Sequence, residues 1–334
     1  MKLGIIGTGK IVQEILPLFA ARNMERITLL STERSLERAE TLRAQYRLDR
    51  VFTDCGLFLA DDIDTIYIGI PNALHFPFAR EALLHGKDVI LEKPAASCVR
   101  ELEELLRIAK ANHLILMEAV STRYLPAFRK LKSEICSLSG IKLAVFHYAQ
   151  YSSRYDDFRR GIRVPAFDRS CSGGALYDIN FYNIYAAVEL FGEPQSVNYF
   201  ANMQRGIDTS GMAILSYDGF HVCCIGAKDC QGKNHSVIQC ENARIEIEEP
   251  FNAIAGYRIF RRMNPESTDG YTFKPKHRLL PELEQIIKIL QARDYDAAAE
   301  ANEISLAVMR VLEKARRGAG LEFDCDVPRE PEPR

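Results

Sequence analysis

The chain has 334 residues, more than one compact core of ordinary size holds, so two domains are expected. Its 43 Lys and Arg against 45 Asp and Glu leave a net charge of −2 with no basic stripe, which argues against a nucleic-acid binder. No apolar stretch approaches bilayer-crossing length, and Met1 to Ile6 already reads as a buried strand with no room for a cleavable signal peptide, so a cytoplasmic protein without membrane partners is expected. The nine cysteines are odd in number and scattered, as reduced thiols would be, and none has the spacing of a zinc site, so no metal is expected. Arg159-Arg160 with Arg163, and Arg316-Arg317, read as short patches on a solvated surface or helix end.

In chain order, residues 2–6 form a short apolar strand, followed by Gly7-Thr8-Gly9 and a helical pattern through Ile11, Ile15, Leu16 and Phe19. A second strand at 27–30 leads through a polar turn into a helix over 36–46. Strands at 64–68, 88–91 and 114–117 alternate with helices over 76–85 and 99–112. Short apolar strands alternating with amphipathic helices imply a parallel sheet with crossover connections, a Rossmann-like α/β domain over residues 1–121. After Arg123 the rhythm changes: a helix at 126–132, a strand at 141–150, a polar arginine-rich loop over 151–172 and a helix over 174–190. Strands follow at 196–203, 210–217, 220–227, 234–240, 243–249, 256–261 and 270–274, with turns such as Tyr217-Asp218-Gly219-Phe220 that imply an antiparallel sheet. Helical pattern returns from Pro281 to Arg317 with a break near Ala292 to Asp296. Residues 122–334 are therefore expected to form an α+β domain with one large, mostly antiparallel sheet, and the final Pro-Arg-Glu-Pro-Glu-Pro-Arg a loose tail.

A Gly-rich turn between the first strand and helix lets the backbone approach a pyrophosphate at the helix N-terminus. Gly7 and Gly9 fill the first two glycine positions of that fingerprint, but Val12 stands at the third. Beyond the second strand, Ser31, Thr32 and Arg34 suit the 2'-phosphate of NADP, whereas Glu33 suits the ribose of NAD if it faces inward. The cofactor expected is NADP, with NAD as the alternative. Glu92-Lys93-Pro94 follows the strand at 88–91 and places a lysine at the sheet edge where open α/β sheets bind ligands.

Four segments together resemble the glucose-fructose oxidoreductase/inositol dehydrogenase/MocA-like family: Gly4 to Ile11; Ile70-Pro71-Asn72 with His75; Gly86-Lys87-Asp88-Val89 leading into Glu92-Lys93-Pro94; and Gly173 to Asp178. Met117-Glu118-Ala119, Arg123 and Pro126 resemble the dimeric dihydrodiol dehydrogenase branch. So does Tyr182, four residues beyond Asp178, where many relatives carry histidine. Asn180 departs from the small glycine many members place there. The resemblance implies an NAD(P)-dependent dehydrogenase or reductase acting on CH–OH groups of a sugar-like, polyol or vicinal-diol substrate, with Gly7, Thr8, Gly9, Lys10, Ile11, Ser31, Thr32, Arg34, Pro71, Asn72, His75, Glu92 and Lys93 at the cofactor. It also implies a homodimer through the C-terminal sheet, with a tetramer as the alternative.

In carbonyl–alcohol interconversion the hydroxyl proton needs a general acid or base while hydride moves to or from the nicotinamide. Asp178 and Tyr182 are four apart and share a face of a helix that would start after Gly173-Gly174. Tyr182 is the candidate proton shuttle; a phenol titrates near ~10 in water, and Lys93 would supply the cation that favours phenolate and bind the substrate oxygen. Asp178 would orient the substrate hydroxyl or Lys93. The bland alternatives are a core aromatic for Tyr182 and a helix-start acid for Asp178. His75 is expected to position the nicotinamide end, Glu92 to fix the loop or the ribose, and Pro94 to hold Lys93 extended, with a cis bond compatible with so tight a loop. The loop 151–172 is expected to border the substrate, where Arg154, Tyr155, Arg159, Arg160, Arg163 and Asp168 could read hydroxyls or a carboxylate. Val12 and Asn180 also admit a non-catalytic dinucleotide sensor or scaffold.

Overall fold

Strand β1 (Lys2–Ile6) is buried from Leu3 onward because neighbours flank it on both sides in a parallel sheet whose two faces are covered. The computed structural model describes residues 1–22, 24–138 and 140–326. With β2 (Arg26–Leu30), β3 (Arg50–Phe52), β4 (Thr65–Ile68), β5 (Asp88–Glu92) and β6 (Leu116–Ala119), β1 forms a six-stranded parallel sheet in the order β3-β2-β1-β4-β5-β6. The order reverses between β1 and β4, so the carboxyl ends of those strands open a crevice. Helix Lys10–Ala20 buries Val12, Ile15, Leu16 and Phe19, the three- and four-residue spacing of one face.

Two departures here have local causes. Strand β3 and helix Cys55–Leu59 carry too few residues to show a periodic pattern. Strand β6 starts two residues later than the apolar run suggests, because the Asp88 carboxylate accepts the Ile115 amide at 2.7 Å and detains the chain there.

This unit comprises Met1–Ala96, Arg100–Val120 and Leu279–Ser305. The chain passes to the second unit between Val120 and Ser121 and later returns, so that helix Leu280–Ala292 and the start of helix Tyr295–Gly318 lie in the first unit. Arg293, at the break between those helices, pairs with Asp88 and donates to the His113 carbonyl at 2.6 Å, which pins the returning chain.

The second unit holds β7 (Ile141–Ala149), β8 (Ser196–Gln204), β9 (Ile207–Tyr217), β10 (Phe220–Ala227), β11 (Ser236–Cys240), β12 (Ala243–Ile247), β13 (Gly256–Arg261) and β14 (Asn264–Thr272). They form one eight-stranded sheet in the order β14-β13-β12-β11-β7-β10-β9-β8, antiparallel except for the parallel pair β7–β10. Gly219, at a φ of +78°, turns β9 into β10 as the Asp-Gly pair implies. Strand β14 begins at Asn264, not near 270, because a tight reversal pairs Asn264 with Arg261 although the sequence there carries no apolar alternation.

One face of this sheet is packed by helices Pro126–Ile135 and Phe181–Phe191, with Phe128, Phe146 and Phe251 in edge contact between them. The opposite face carries an apolar stripe. Phe200 on β8 lies opposite Met212 on β9, which lies opposite Ile225 on β10; Ile214, Cys223, Val145 and Val237 form a parallel row across β9, β10, β7 and β11. Phe200 is 61% and Met212 46% exposed, and the second row is half-buried.

Arg316 is not on the surface. It is fully buried, pairs with Asp326 through both terminal nitrogens and donates to the Tyr177 hydroxyl at 3.1 Å and the Leu321 carbonyl at 3.3 Å. Tyr177 in turn donates to the Ser97 carbonyl at 3.2 Å, so one guanidinium ties the chain after Gly320 to the segment that carries Asp178. Burial works to raise the Asp326 carboxyl, but the Arg316 hydrogen bonds and the Phe323 amide hold it down at about 2. Replacing Arg316 by Leu is expected to cost ~3 kcal/mol or more in urea unfolding, since it breaks the pair with Asp326 and removes the hydrogen bonds to the Leu321 carbonyl and the Tyr177 hydroxyl. In the wild type the share owed to Asp326 is complete above its ordinary value of 3.8 and is lost as pH falls toward about 2; the variant should lack that acid-limb loss.

Candidate active site

In the first unit a cleft of about 710 Å³ opens at the carboxyl ends of β1, β2 and β4. Gly7, Thr8, Gly9 and Ile11 line one wall, Ser31, Thr32, Glu33, Ser35 and Arg38 a second, and Gly69, Ile70 and Pro71 a third. Gly7 holds a φ of +111°, and a Cβ on it would come within 2.5 Å of the Gly69 carbonyl oxygen, so only glycine suits this turn. Gly9 precedes helix Lys10–Ala20, and a Cβ there would meet nothing within 4 Å, which leaves the first-turn amides approachable to a pyrophosphate. These residues fit a dinucleotide. Val12 is accommodated because the small residue faces it: a Cβ on Gly69 would stand 2.8 Å from Val12 Cγ2.

At the far end of the cleft Ser31 is buried, and its hydroxyl and that of Thr32 lie 2.9 and 3.0 Å from Ser35 Oγ. Arg34 is exposed and outside the lining; Arg38, one helical turn on, is the arginine on this wall. Sequence reasoning passed over Arg38, although its i+4 spacing from Arg34 was a usable signal. Glu33 is exposed yet lines the cleft. Lys10 and Asn72 lie outside the lining.

Next to β4, the exit of β5 is fixed from several sides. Glu92 is buried and accepts a 2.6 Å hydrogen bond from the Tyr67 hydroxyl; burial first, then Glu92 itself, push that phenol well above its usual range. The Lys93–Pro94 bond is cis, as the tight loop allows, and Lys93 is half-buried. The Ala95 amide donates to Glu118 Oε1 at 2.7 Å.

His75 is fully buried, with Nδ1 2.9 Å from the Pro94 carbonyl and Nε2 2.9 Å from the Ile70 carbonyl. Both ring nitrogens lie against backbone carbonyls, so His75 joins the β4 and β5 loops. Burial, then the Lys93 charge, lower its pKa to about 4 against the pull of the two carbonyls, so it is neutral at physiological pH and donates to one carbonyl at a time.

In the second unit, Asp178 and Tyr182 lie where the helix after Gly174 begins, but its first stretch, Leu176–Asn180, is a π-helix that passes into the α-helix Phe181–Phe191. Such wide turns recur at functional sites. From Ser172 to Glu189 every residue is buried except Asp178 and Tyr182. Tyr182 packs its ring beside Tyr148 and Phe181 at centroid distances of 6.2 and 5.6 Å, while Tyr185 and Phe181 take the core positions. Asn180 is buried and donates to the Cys224 carbonyl at 3.0 Å; Asn183 donates to the Ile225 carbonyl at 2.9 Å. A Cβ on Gly226 would lie 2.5 Å from Asn180 Cβ, so here too the glycine is on the facing strand.

The balancing charge for Asp178 within its own unit is Lys228, which no sequence signal indicated. Lys228 Nζ is 2.6 Å from Asp178 Oδ2, donates to the Ala166 carbonyl at 2.8 Å and lies 4.4 Å above the Phe167 ring, with 3% of its side chain exposed. The nearby Asp208 accepts from the Leu176 amide and the Tyr199 hydroxyl, both at 2.7 Å; burial raises its carboxyl while those bonds and the Lys228 charge pull it back.

The loop 151–172 contains helix Tyr155–Arg159 and an aromatic cluster of Tyr151, Tyr155, Phe158 and Phe167. Arg163 and Asp168 pair with each other, and Asp168 accepts the Ser170 amide at 2.9 Å.

The chain matches the family model described as "Oxidoreductase family, NAD-binding Rossmann fold" over residues 1–120, and that of the GFO/IDH/MocA C-terminal domain over 147–246. It is 35% identical over 98% of its length, and 99% of the relative's, to scyllo-inositol 2-dehydrogenase (NADP(+)) IolU of Bacillus subtilis. The protein belongs to the Gfo/Idh/MocA oxidoreductase family. It is an NAD(P)-dependent oxidoreductase of CH–OH groups. A human relative named trans-1,2-dihydrobenzene-1,2-diol dehydrogenase is 26% identical over 66% of this chain and 65% of its own. Among solved structures, KijD10, a 3-ketoreductase from Actinomadura kijaniata in complex with NADP and TDP-benzene, superposes with a TM-score of 0.82 over 95% of this chain and 97% of its own at 20% identity, which shows the shared fold.

Lys228→Met is expected to lower apo-protein stability by ~1–3 kcal/mol, the worth of hydrogen bonds to a charged group. Asp178→Asn, which keeps an oxygen for Nζ, should cost less. Equal melting temperatures for Lys228→Met and wild type would refute the role given to this pair.

Proposed function

We propose that the protein is an NADP-dependent dehydrogenase or reductase of polyols or sugar-like vicinal diols in which Lys93, Asp178 and Tyr182 carry the chemistry. The observation that carries this reading is the burial pattern of 172–189: in an otherwise buried segment, the two residues that are only half-buried are the carboxylate and the phenol that the reaction needs. Lys93 stands at the carboxyl end of β5, the strand beside β4, whose own exit lines the dinucleotide cleft. Tyr182 in place of histidine supports a place in the dihydrodiol dehydrogenase-like branch, and the similarity to the Bacillus inositol dehydrogenase supports a polyol substrate.

NADP, when bound, supplies the hydride acceptor or donor. Ser31, Thr32 and Arg38 would hold its 2'-phosphate, and the amides after Gly7 and Gly9 its pyrophosphate. Tyr182 exchanges the substrate hydroxyl proton at its phenol oxygen, Lys93 supplies the positive charge that stabilises phenolate and alkoxide, and Asp178, steadied by Lys228, orients the substrate. The dinucleotide-sensor alternative loses its support, because Val12 and Asn180 each have a packing reason in Gly69 and Gly226.

The outer apolar stripe of the second sheet is assigned to a homodimer. A patch crossing five strands, with Phe200 and Met212 exposed at one end, is of the kind that self-association covers.

Lys93→Met and Tyr182→Phe are each expected to cut kcat by ~10²–10⁴-fold in a screen of scyllo-inositol, aldoses and vicinal diols with both cofactors, while NADPH binding by fluorescence persists. Wild-type turnover in either variant would remove that residue from the mechanism. Met212→Glu with Ile214→Glu should shift the sedimentation coefficient from dimer to monomer; an unchanged value would place the interface elsewhere.

A further inference from the structure

Glu118 lies on β6, where its backbone pairs with Leu91 of β5, one residue before Glu92. It is 6% exposed. Its Oε1 accepts the Ala95 amide at 2.7 Å, and the Ser305 hydroxyl is a second polar neighbour of the carboxylate. A buried carboxylate is costly unless its oxygens are hydrogen-bonded, so the contact with the Ala95 amide is a strong local tie.

The tie is visible in the chain it holds. Between Glu92 and Ala95 the backbone carries Lys93 through a cis peptide bond, and this turn has three side-chain restraints: Tyr67 on Glu92, His75 on the Pro94 carbonyl and Glu118 on the Ala95 amide. Tyr67 and His75 act at or before the proline, and Glu118 alone of the three acts after it.

We infer that Glu118 is a positioning residue for Lys93, fixing the turn beyond it through the Ala95 amide and sharing with Glu92 the control of the charge around the lysine. This rests on the role proposed above for Lys93.

The groups that face Glu118 are Glu92 and Lys93 from the β5 exit and Ser305 from helix Tyr295–Gly318. Burial is the largest influence and raises the carboxyl; Ser305, the Ala95 amide and Lys93 pull it back, Glu92 adds to the rise, and the outcome is about 7. Glu92 accepts the hydrogen bond of the Tyr67 hydroxyl, so the two carboxyls have different partners on neighbouring strands. Ionisation of Glu118 puts a negative charge near Lys93, which favours the protonated amine. Because this carboxyl is raised above its ordinary 4.5, the stability it contributes is full below that value and is lost as pH rises through about 7.

The test uses apo protein, with NADP⁺ and scyllo-inositol as a separate turnover arm. Competitive acetylation by acetic anhydride, read by mass spectrometry on the Lys93 peptide from about pH 6 to pH 9, reports the reactivity of that amine. Hydrogen exchange reports the Ala95 amide. Glu118→Ala should raise both Lys93 labelling and Ala95 exchange several-fold, with surface lysines unchanged. Glu118→Gln, which keeps an oxygen for Ala95, should restore protection of that amide, abolish the inflection in Lys93 labelling near pH 7 and flatten the fall in melting temperature between about pH 4.5 and 7.

The inference is overturned if Glu118→Ala leaves labelling and exchange at wild-type values. If that variant fails to fold, a Glu118→Gln labelling profile coincident with wild type overturns it instead. The turnover arm separates the two readings: wild-type turnover in Lys93→Met defeats the catalytic role of Lys93, whereas the labelling and exchange results still decide whether Glu118 holds it.

Discussion

The anchoring of the β5 exit is the constraint from which the rest of the site follows. A lysine is a flexible four-carbon stem ending in a strongly hydrated charge, and it directs chemistry only if its backbone is held. Here the backbone on both sides of Lys93 is held by buried polar groups: Tyr67 on Glu92, His75 on Pro94 and Glu118 on Ala95. Each group sits on a different element, β4, the helix after it, and β6, so the turn is determined by the sheet as a whole and not by its own few residues.

A parallel arrangement governs the second unit. Asp178 is half-exposed, but its partner Lys228 is buried between the Ala166 carbonyl, the Phe167 ring and that carboxylate. The lysine arrives on the chain just after β10, and the segment it supports is kept against β10 by Asn180 and Asn183 reaching strand carbonyls. The sheet thus fixes the π-helical start, and the π-helical start sets out Asp178 and Tyr182 at its surface. Low dielectric makes such buried polar links strong when complete, which suits a site whose few reactive groups must keep their geometry.

The two residues that depart from the family pattern have the same explanation. Val12 stands where a third glycine would permit close helix–strand packing, and Asn180 stands where a small residue would. In each case the contact survives because the facing segment supplies the glycine, Gly69 just beyond β4 against Val12 and Gly226 on β10 against Asn180. Close approach between two backbones requires one missing side chain, and the requirement does not say on which side.

Local chemistry determined much of this protein by itself. Apolar runs alternating with amphipathic helices specified the parallel sheet, Asp-Gly at 218–219 the hairpin, and Gly7 with Gly9 the dinucleotide turn, because backbone preference and hydrophobic period act within a few residues of sequence. The proposed grouping of Lys93, Asp178 and Tyr182 rests on family resemblance, since no spacing links a strand end to a helix nearly a hundred residues on. Tertiary structure alone decided what depends on distant partners: Arg38 on the cleft wall in place of Arg34, the return of Leu279–Ser305 to the first unit, the burial of Arg316 against Asp326, Lys228 under Asp178, and Glu118 on Ala95. A charged residue looks like surface in sequence because its burial is affordable only with a complementary group in place, and that group is brought by the fold.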